Sequence, residues 1–163
     1  MDKRHGELQR YGWPYGLLIL DIDHFKAFND THGHDVGDKV LRAVAKNLAH
    51  SARVFDVVGR WGGEEFLVVL ANVDRAGMEV VAERMRMVVA TSSVDIEESG
   101  KSLSVTISIG GALGREGRDV AETLKEADKR LYEAKDRGRN RAILNQPSDT
   151  ESPPTEHLTE AAS

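Results

Sequence analysis

Two acidic clusters lie in contexts that could place several carboxylates close together. Asp21-Ile22-Asp23 ends an apolar run, and Glu64-Glu65 directly follows the glycine pair Gly62-Gly63. Carboxylates at a strand end and beside a tight turn would form an oxygen-rich site for Mg²⁺, which takes one or two protein carboxylates together with substrate phosphates. The alternative is that these acids line a solvated edge, because motifs as short as these recur by chance.

The strands that would carry these clusters follow from the apolar pattern. Residues 15–22 form a short apolar run that predicts a buried strand. Residues 54–59 and 65–70 are β-rich, and the glycines between them predict a hairpin because glycine tolerates positive φ. Residues 103–109 alternate apolar side chains with Ser and Thr, which predicts a half-solvated strand. Residues 141–144 predict a short final strand.

Helical spacing accounts for most of the remaining chain. Residues 24–38 predict a short helix followed by a loop, and an apolar stripe predicts a helix that starts at Asp38. A second stripe predicts a helix over residues 74–91. Asp119 and Glu122 resemble a capping box that opens a third helix, whereas residues 1–12 are polar and weakly patterned. The mixture of helices with a hairpin predicts an α+β sheet with helices packed on it.

Composition limits the class of protein further. The 163 residues suit one domain, and the absence of cysteine fits a reducing, cytoplasmic location. A net charge of −5 argues against non-specific nucleic-acid binding. The chain shows no signal peptide and no apolar run long enough for a bilayer, so we expect no membrane contact by this chain, although a parent protein could be anchored elsewhere. Residues 146–163 are rich in Pro, Ser, Thr and Glu, and we expect them to be disordered.

Further motifs accompany the acidic clusters in a fixed order. They are His24-Phe25-Lys26, Asn29-Asp30, His32-Gly33-His34, Gly37-Asp38, Arg60-Trp61, Tyr132-Glu133-Ala134-Lys135 and Gly138-Arg139-Asn140. Together with Asp21-Ile22-Asp23 and the signature Gly62 to Phe66, these blocks resemble the GGDEF family of diguanylate cyclases over roughly residues 16–144. The resemblance implies a palm-like α+β fold with a mainly antiparallel sheet of about five strands.

The resemblance also implies a metal site. Asp21 and Glu64 would hold Mg²⁺, or Mn²⁺, by their side chains, and Ile22 by its backbone carbonyl. Glu64 would further help to deprotonate the attacking 3′-hydroxyl, and Glu65 is a second catalytic candidate within the signature. His32 and His34 are a weaker candidate for a transition-metal site, since no third nitrogen or sulfur ligand is evident nearby.

For the nucleotide, the resemblance assigns two groups of residues. Asn29 and Asp38 would recognise guanine, with His34 lining the same pocket, because a carboxylate accepts from guanine N1–H and N2–H₂. The triphosphate contacts would come from cationic side chains and from the glycine turn, where a Cβ would crowd the phosphates. These triphosphate residues are Lys26, Lys135, Arg139, Gly62 and Gly63.

A separate site is implied by Arg53 and Asp56, which match the family's inhibitory Arg-x-x-Asp motif, with Arg84 as its second arginine. Arginine can bond the Hoogsteen edge of guanine or a phosphate in a two-pronged manner. The alternative is an ordinary surface ion pair, which is common and weak.

The expected function is condensation of two GTP molecules into cyclic di-GMP within a homodimer, subject to product inhibition. Residues 15–145 would form the catalytic domain, preceded by residues 1–14, which lack the family's usual opening motif, and followed by the 146–163 tail. Two alternatives stay open: a catalytically silent cyclic di-GMP receptor and a pure interaction module. A cyclase with relaxed base choice is a further alternative, against which Asp38 argues.

Overall fold

The computed structural model describes residues 2–96, 101–115 and 117–144. In these ranges the elements in chain order are α1 Asp2–Tyr11, β1 Tyr15–Ile22, α2 Phe25–His32, α3 His34–Ser51, β2 Val57–Gly62, β3 Glu65–Ala71, α4 Arg75–Thr91, β4 Val94–Ile96, β5 Lys101–Leu103, β6 Ile107–Leu113, α5 Val120–Asp136 and β7 Ala142–Ile143. The tail predicted for residues 146–163 lies outside the described residues.

The central sheet has five strands in the order β2-β3-β1-β6-β7. Its first four strands are antiparallel to their neighbours, and β7 runs parallel to β6. The predicted mainly antiparallel α+β sheet is therefore confirmed. β4 and β5 form a separate antiparallel pair that the sequence pattern did not predict.

Helices cover both faces of this sheet, which explains why β1 is a continuous apolar run. Leu18, Leu20 and Ile22 pack in one core cluster with apolar residues of α3 and α4. On the opposite face Ile19 packs with Leu131 of α5. A strand that is buried on both faces carries apolar residues at successive positions instead of at alternate ones.

The same two-sided burial makes one prediction wrong. The Ser and Thr alternation predicted a half-solvated strand, but β6 begins only at Ile107, and its residues through Ala112 are buried. Ser108 is fully buried, and its hydroxyl donates to the Asp23 carboxylate at 2.6 Å, which offsets the cost of burying it. A polar side chain can occupy a buried strand position when a hydrogen-bond partner lies opposite.

Two further boundaries differ from the predictions. Helix α3 begins at His34, four residues before the predicted start, since Gly33 with φ 86° separates it from α2. Strand β2 begins at Val57, because residues 53–56 form a turn whose Val54 and Phe55 side chains are exposed. Asp56 therefore lies in this turn and not in the strand predicted over residues 54–59, and Arg53 lies in the turn with it.

Helix α1 occupies residues for which the sequence pattern predicted no element. Leu8 is buried at 5% exposure, and it packs with Tyr15 and Leu17 of β1. A helix that docks through one apolar side chain shows no repeating stripe, so periodicity does not reveal it. Among the described residues, no helix combines the length and apolar character needed to cross a bilayer.

Candidate active site

The two acidic clusters meet at one end of the sheet. Asp21, at the end of β1, lies directly opposite Glu65 of β3 in the antiparallel register. The backbone N–H of Ile22 donates to the carbonyl of Glu64 at 3.4 Å. The fold thus brings Asp21, Ile22, Glu64 and Glu65 together, as the sequence motifs predicted.

The charges at this corner are incompletely balanced. Asp21 is 7% exposed, and burial raises the pKa of its carboxyl. The ammonium of Lys135 lies 2.9 Å from Asp21 Oδ2 and opposes that rise, whereas the negative charge of Glu64 adds to it. Burial also raises the pKa of Glu65, and the charge of Asp21 raises it further. These carboxylates therefore favour an additional positive charge nearby.

The glycine turn joins β2 to β3 and directly precedes Glu64. Gly63 adopts φ 43°, in the left-handed region that glycine enters without a Cβ clash, and Arg60 Nε donates to its carbonyl at 2.8 Å. A Cβ added at Gly62 would meet no atom of the described residues within 4 Å. Packing within the chain therefore does not explain glycine at position 62, and a ligand passing over the turn would.

The predicted guanine residues lie where α2 meets α3. Asn29 Oδ1 is buried with no hydrogen-bond partner within the described residues, and it points at Gly37, where a Cβ would be only 1.8 Å away. Asp38 follows Gly37 and is exposed, and His34 lies one helical turn earlier on α3. This close packing holds the Asn29 side chain against the residue that precedes Asp38. Lys26 is exposed on α2, one turn before Asn29.

A groove of about 230 Å³ runs between α3 and β2. Leu41, one turn beyond Asp38, forms one wall, and Arg60, which leads into the glycine turn, forms the other. Apolar atoms of Ala45 and Val58 line its middle. The groove therefore lies between the helix that carries Asp38 and the strand that leads into the signature turn.

The cationic residues come from the end of α5. Lys135 reaches Asp21, as described above, and Arg139 follows the helix with φ 62°. The backbone N–H of Arg139 donates to Ala134 O at 3.0 Å, and its Nη1 donates to Lys135 O at 3.4 Å. These bonds keep Arg139 close to the last turn of the helix and thus to Lys135.

Asp23 has a role that the sequence motif did not reveal. It is 7% exposed and accepts hydrogen bonds from Thr106 Oγ1 at 2.6 Å, from Ser108 Oγ at 2.6 Å and from the backbone N–H of Asn140 at 3.0 Å. Both carboxylate oxygens are thereby engaged within the chain. Asp21 and Asp23 look alike in sequence, but only a structure shows which donors face each of them.

The predicted product-site residues come near one another by backbone contacts. Asp56 Oδ2 accepts from the backbone N–H of Arg53 at 2.8 Å, and Oδ1 accepts from that of Ala71 at 3.1 Å. Arg84 Nη2 donates to Ser51 O at 2.6 Å, two residues before Arg53. Asp56 therefore shapes the turn through these two backbone contacts, while Arg53 is exposed.

The five-stranded, mainly antiparallel sheet with helices on both faces is the palm-like α+β fold of GGDEF cyclase domains, and solved examples are similar to this chain. The family model described as "Diguanylate cyclase, GGDEF domain" matches residues 2–141. The chain therefore belongs to the GGDEF family.

Known members are similar in sequence and in structure. The response regulator PleD of Caulobacter vibrioides is 44% identical over 133 residues, which are 81% of this chain and 29% of PleD, so the chain spans less than a third of that relative. The GGDEF domain of DgcB from Caulobacter crescentus, solved in complex with c-di-GMP, is 33% identical with a TM-score of 0.84, covering 88% of this chain and 84% of that one. The active GGEEF domain of a diguanylate cyclase from Vibrio cholerae is 32% identical with a TM-score of 0.80, covering 88% and 90%.

Proposed function

We propose that this chain is the catalytic domain of a diguanylate cyclase, with residues 15–145 as the catalytic unit, that condenses two GTP molecules into cyclic di-GMP and two pyrophosphates. The 3′-hydroxyl oxygen of one GTP forms a bond to the α-phosphorus of the other, the bond to pyrophosphate breaks, and the hydroxyl proton is released. The observation that carries the proposal is the corner formed by Asp21, Glu64 and Glu65 beneath the Gly62-Gly63 turn. The similar Vibrio cholerae domain, described as active, has the same GGEEF signature.

The donor set fits a hard divalent cation such as Mg²⁺ or Mn²⁺. Within the described ranges no group of three or more His, Asp or Glu side chains could hold a metal by itself. Two carboxylates, from Asp21 and Glu64, and the Ile22 carbonyl would leave the remaining positions to substrate phosphates, as Mg²⁺ usually requires. When bound, the ion would neutralise charge on the phosphates and activate the hydroxyl.

The chain's own residues would bind and orient the nucleotide. Lys135 and Arg139 lie together at the end of α5, where their charges would face the triphosphate, and Lys26 would approach from α2. Asn29 and Asp38 would hydrogen-bond the guanine edge, with His34 nearby. Glu64 would accept the proton of the 3′-hydroxyl, supported by its place beside Asp21, whose carboxyl is close enough to feel the Glu64 charge.

Catalysis further requires two copies of the domain. One domain binds one GTP in this proposal, so each 3′-hydroxyl meets the other α-phosphate only in a two-fold homodimer. Product inhibition would act through Arg53, Asp56 and Arg84, supported by the contact of Arg84 with Ser51. The proposal includes a cytoplasmic location, for which the absence of cysteine is the supporting observation.

The test is incubation with GTP and Mg²⁺, with chromatography for cyclic di-GMP over a range of protein concentrations. We expect wild type to form product and Glu64→Gln to lose at least about a hundredfold in rate, because the neutral amide is a poorer metal ligand and base. Glu79→Gln on α4 is the matched control, since Glu79 pairs with Arg75 away from the site. A folded Glu64→Gln protein with near-normal turnover would contradict the assignment.

An inactive wild type that still binds cyclic di-GMP would favour the silent receptor instead. Binding should then depend on Arg53 and not on Glu64. A chain that binds neither GTP nor cyclic di-GMP would favour the interaction module.

A further inference from the structure

The segment that follows α5 has an unusual backbone. Arg139 and Asn140 are consecutive non-glycine residues in the left-handed region, with φ 62° and φ 45°. This region disfavours residues that carry a Cβ, so it persists only where surrounding contacts hold it. The conformation matters because Arg139 is a proposed triphosphate contact.

Asp23 holds this segment from the strand side. Its Oδ2 accepts the backbone N–H of Asn140 at 3.0 Å, which fixes the peptide that joins Arg139 to Asn140. Thr106 and Ser108 in turn fix the carboxylate through hydroxyl donors at 2.6 Å each. The carboxylate is therefore oriented by strand β6 and the residues just before it.

Arg86 holds the same residue from α4. Its Nη1 donates to Asn140 Oδ1 at 2.6 Å. The guanidinium is itself fixed by Glu83, whose Oε2 accepts from Nε at 2.9 Å, and the Arg86 side chain is 15% exposed. Asn140 is thus bound through its backbone by one charged residue and through its side chain by another.

We propose that Asp23 and Arg86 are positioning residues for nucleotide binding: they hold Asn140, and Asn140 fixes the backbone from which Arg139 projects. This inference rests on the proposed function, in which Arg139 meets the triphosphate. The proposal requires no contact between either positioning residue and the nucleotide. Each acts through Asn140 on the direction of the Arg139 side chain.

The positioning role makes a prediction that a purely stabilising role does not. Loss of either residue should weaken binding of the phosphates that Arg139 contacts, and should leave binding of the base and sugar nearly unchanged. A general loss of stability would instead lower the fraction of folded protein and weaken every nucleotide equally.

The experiment measures dissociation constants for 3′-deoxy-GTP, which cannot condense, and for GMP, which lacks the outer phosphates. We expect Asp23→Ala and Arg86→Met to weaken 3′-deoxy-GTP by roughly tenfold, the size of one hydrogen bond to a charged group, and GMP by much less. Matched controls are Asp74→Ala, which removes the cap bond to Gly77, and Arg75→Met, which removes the pair with Glu79. Neither control should alter the ratio of the two affinities.

A double-mutant cycle with Arg139→Ala decides the mechanism. If Asp23 and Arg86 act through Arg139, their substitution should have no further effect in the Arg139→Ala protein. Additive losses, or an unchanged ratio of the two affinities, would overturn the inference. If Arg139→Ala itself leaves 3′-deoxy-GTP binding unchanged, the proposed triphosphate contact fails, and the positioning role fails with it. Should Asp23→Ala not fold, the Arg86 arm gives the same answer, because Arg86 lies nearer the surface.

Discussion

Replacement of Gly37 by alanine should weaken GTP binding, although the added methyl group would not contact the ligand. A Cβ at this position would lie 1.8 Å from Asn29 Oδ1, 2.9 Å from Asn29 Cγ and 3.3 Å from Phe25 Cζ. Contacts below 3.0 Å force a displacement, and the atoms concerned are the end of a rotatable side chain. We therefore expect the Asn29 amide to swing away while the backbones of α2 and α3 stay in place.

The substitution affects two free energies, that of unfolding and that of GTP binding, and the expected changes differ in sign. Alanine is favoured over glycine within a helix by up to about 1 kcal/mol, and Asn29 Oδ1 would leave a buried position where the described residues offer no donor. The free energy of unfolding should therefore rise, or change by less than about 1 kcal/mol. Loss of one guanine hydrogen bond costs about 1–1.5 kcal/mol, which corresponds to a roughly 5- to 15-fold weaker GTP affinity.

The assay compares dissociation constants for 3′-deoxy-GTP and 3′-deoxy-ATP, together with thermal unfolding. Gly37→Ala should lower the preference for guanine, and it should have no effect in an Asn29→Ala background. Gly6→Ala in α1 is the matched control, because a Cβ there meets no atom within 4 Å in the part of the chain that the structure describes. Unchanged guanine preference in a folded Gly37→Ala protein would refute the reasoning, as would an equal loss for both nucleotides.

Three other substitutions probe packing, charge and regulation. Gly110→Ala should destabilise the fold by about 3 kcal/mol in denaturant titrations, because its Cβ would lie 2.1 Å from the backbone oxygen of Ala127, which cannot rotate away. Glu65→Gln should stabilise the ligand-free domain by about 0.2–1 kcal/mol at pH 7, since it removes a like charge opposite Asp21. The raised pKa of Glu65 means that the folded state binds its proton more tightly than the unfolded state, so this gain should appear as pH rises and vanish in acid. Arg53→Ala should weaken inhibition by cyclic di-GMP roughly tenfold in progress curves without lowering initial turnover; equal inhibition of both proteins would refute the site.

Elements that depend on interactions between residues close in the sequence could be predicted from the sequence. The hairpin at Gly62-Gly63 and the capping box at Asp119 were both predicted, and both form, because each depends on neighbouring residues. Helix α1 could not be predicted, since Leu8 and the polar side chains of Arg4 and His5 dock it on the rest of the fold without an apolar repeat. The burial of Ser108 also depends on a residue far along the chain, because its partner is Asp23, 85 positions away.

The difference between Asp21 and Asp23 shows why the candidate site needed the structure. Both are acids with 7% exposure at the end of β1. Hydroxyl and backbone donors surround Asp23 and use both of its oxygens, so its charge is satisfied by neutral groups within the chain. Asp21 instead faces one ammonium, from Lys135, and two further acids. An acid whose ionised form is disfavoured by burial and by nearby negative charges attracts an added cation, whereas an acid with its oxygens engaged serves the fold. The distribution of donors, which the sequence motif does not contain, therefore distinguishes the proposed metal ligand Asp21 from the positioning residue Asp23.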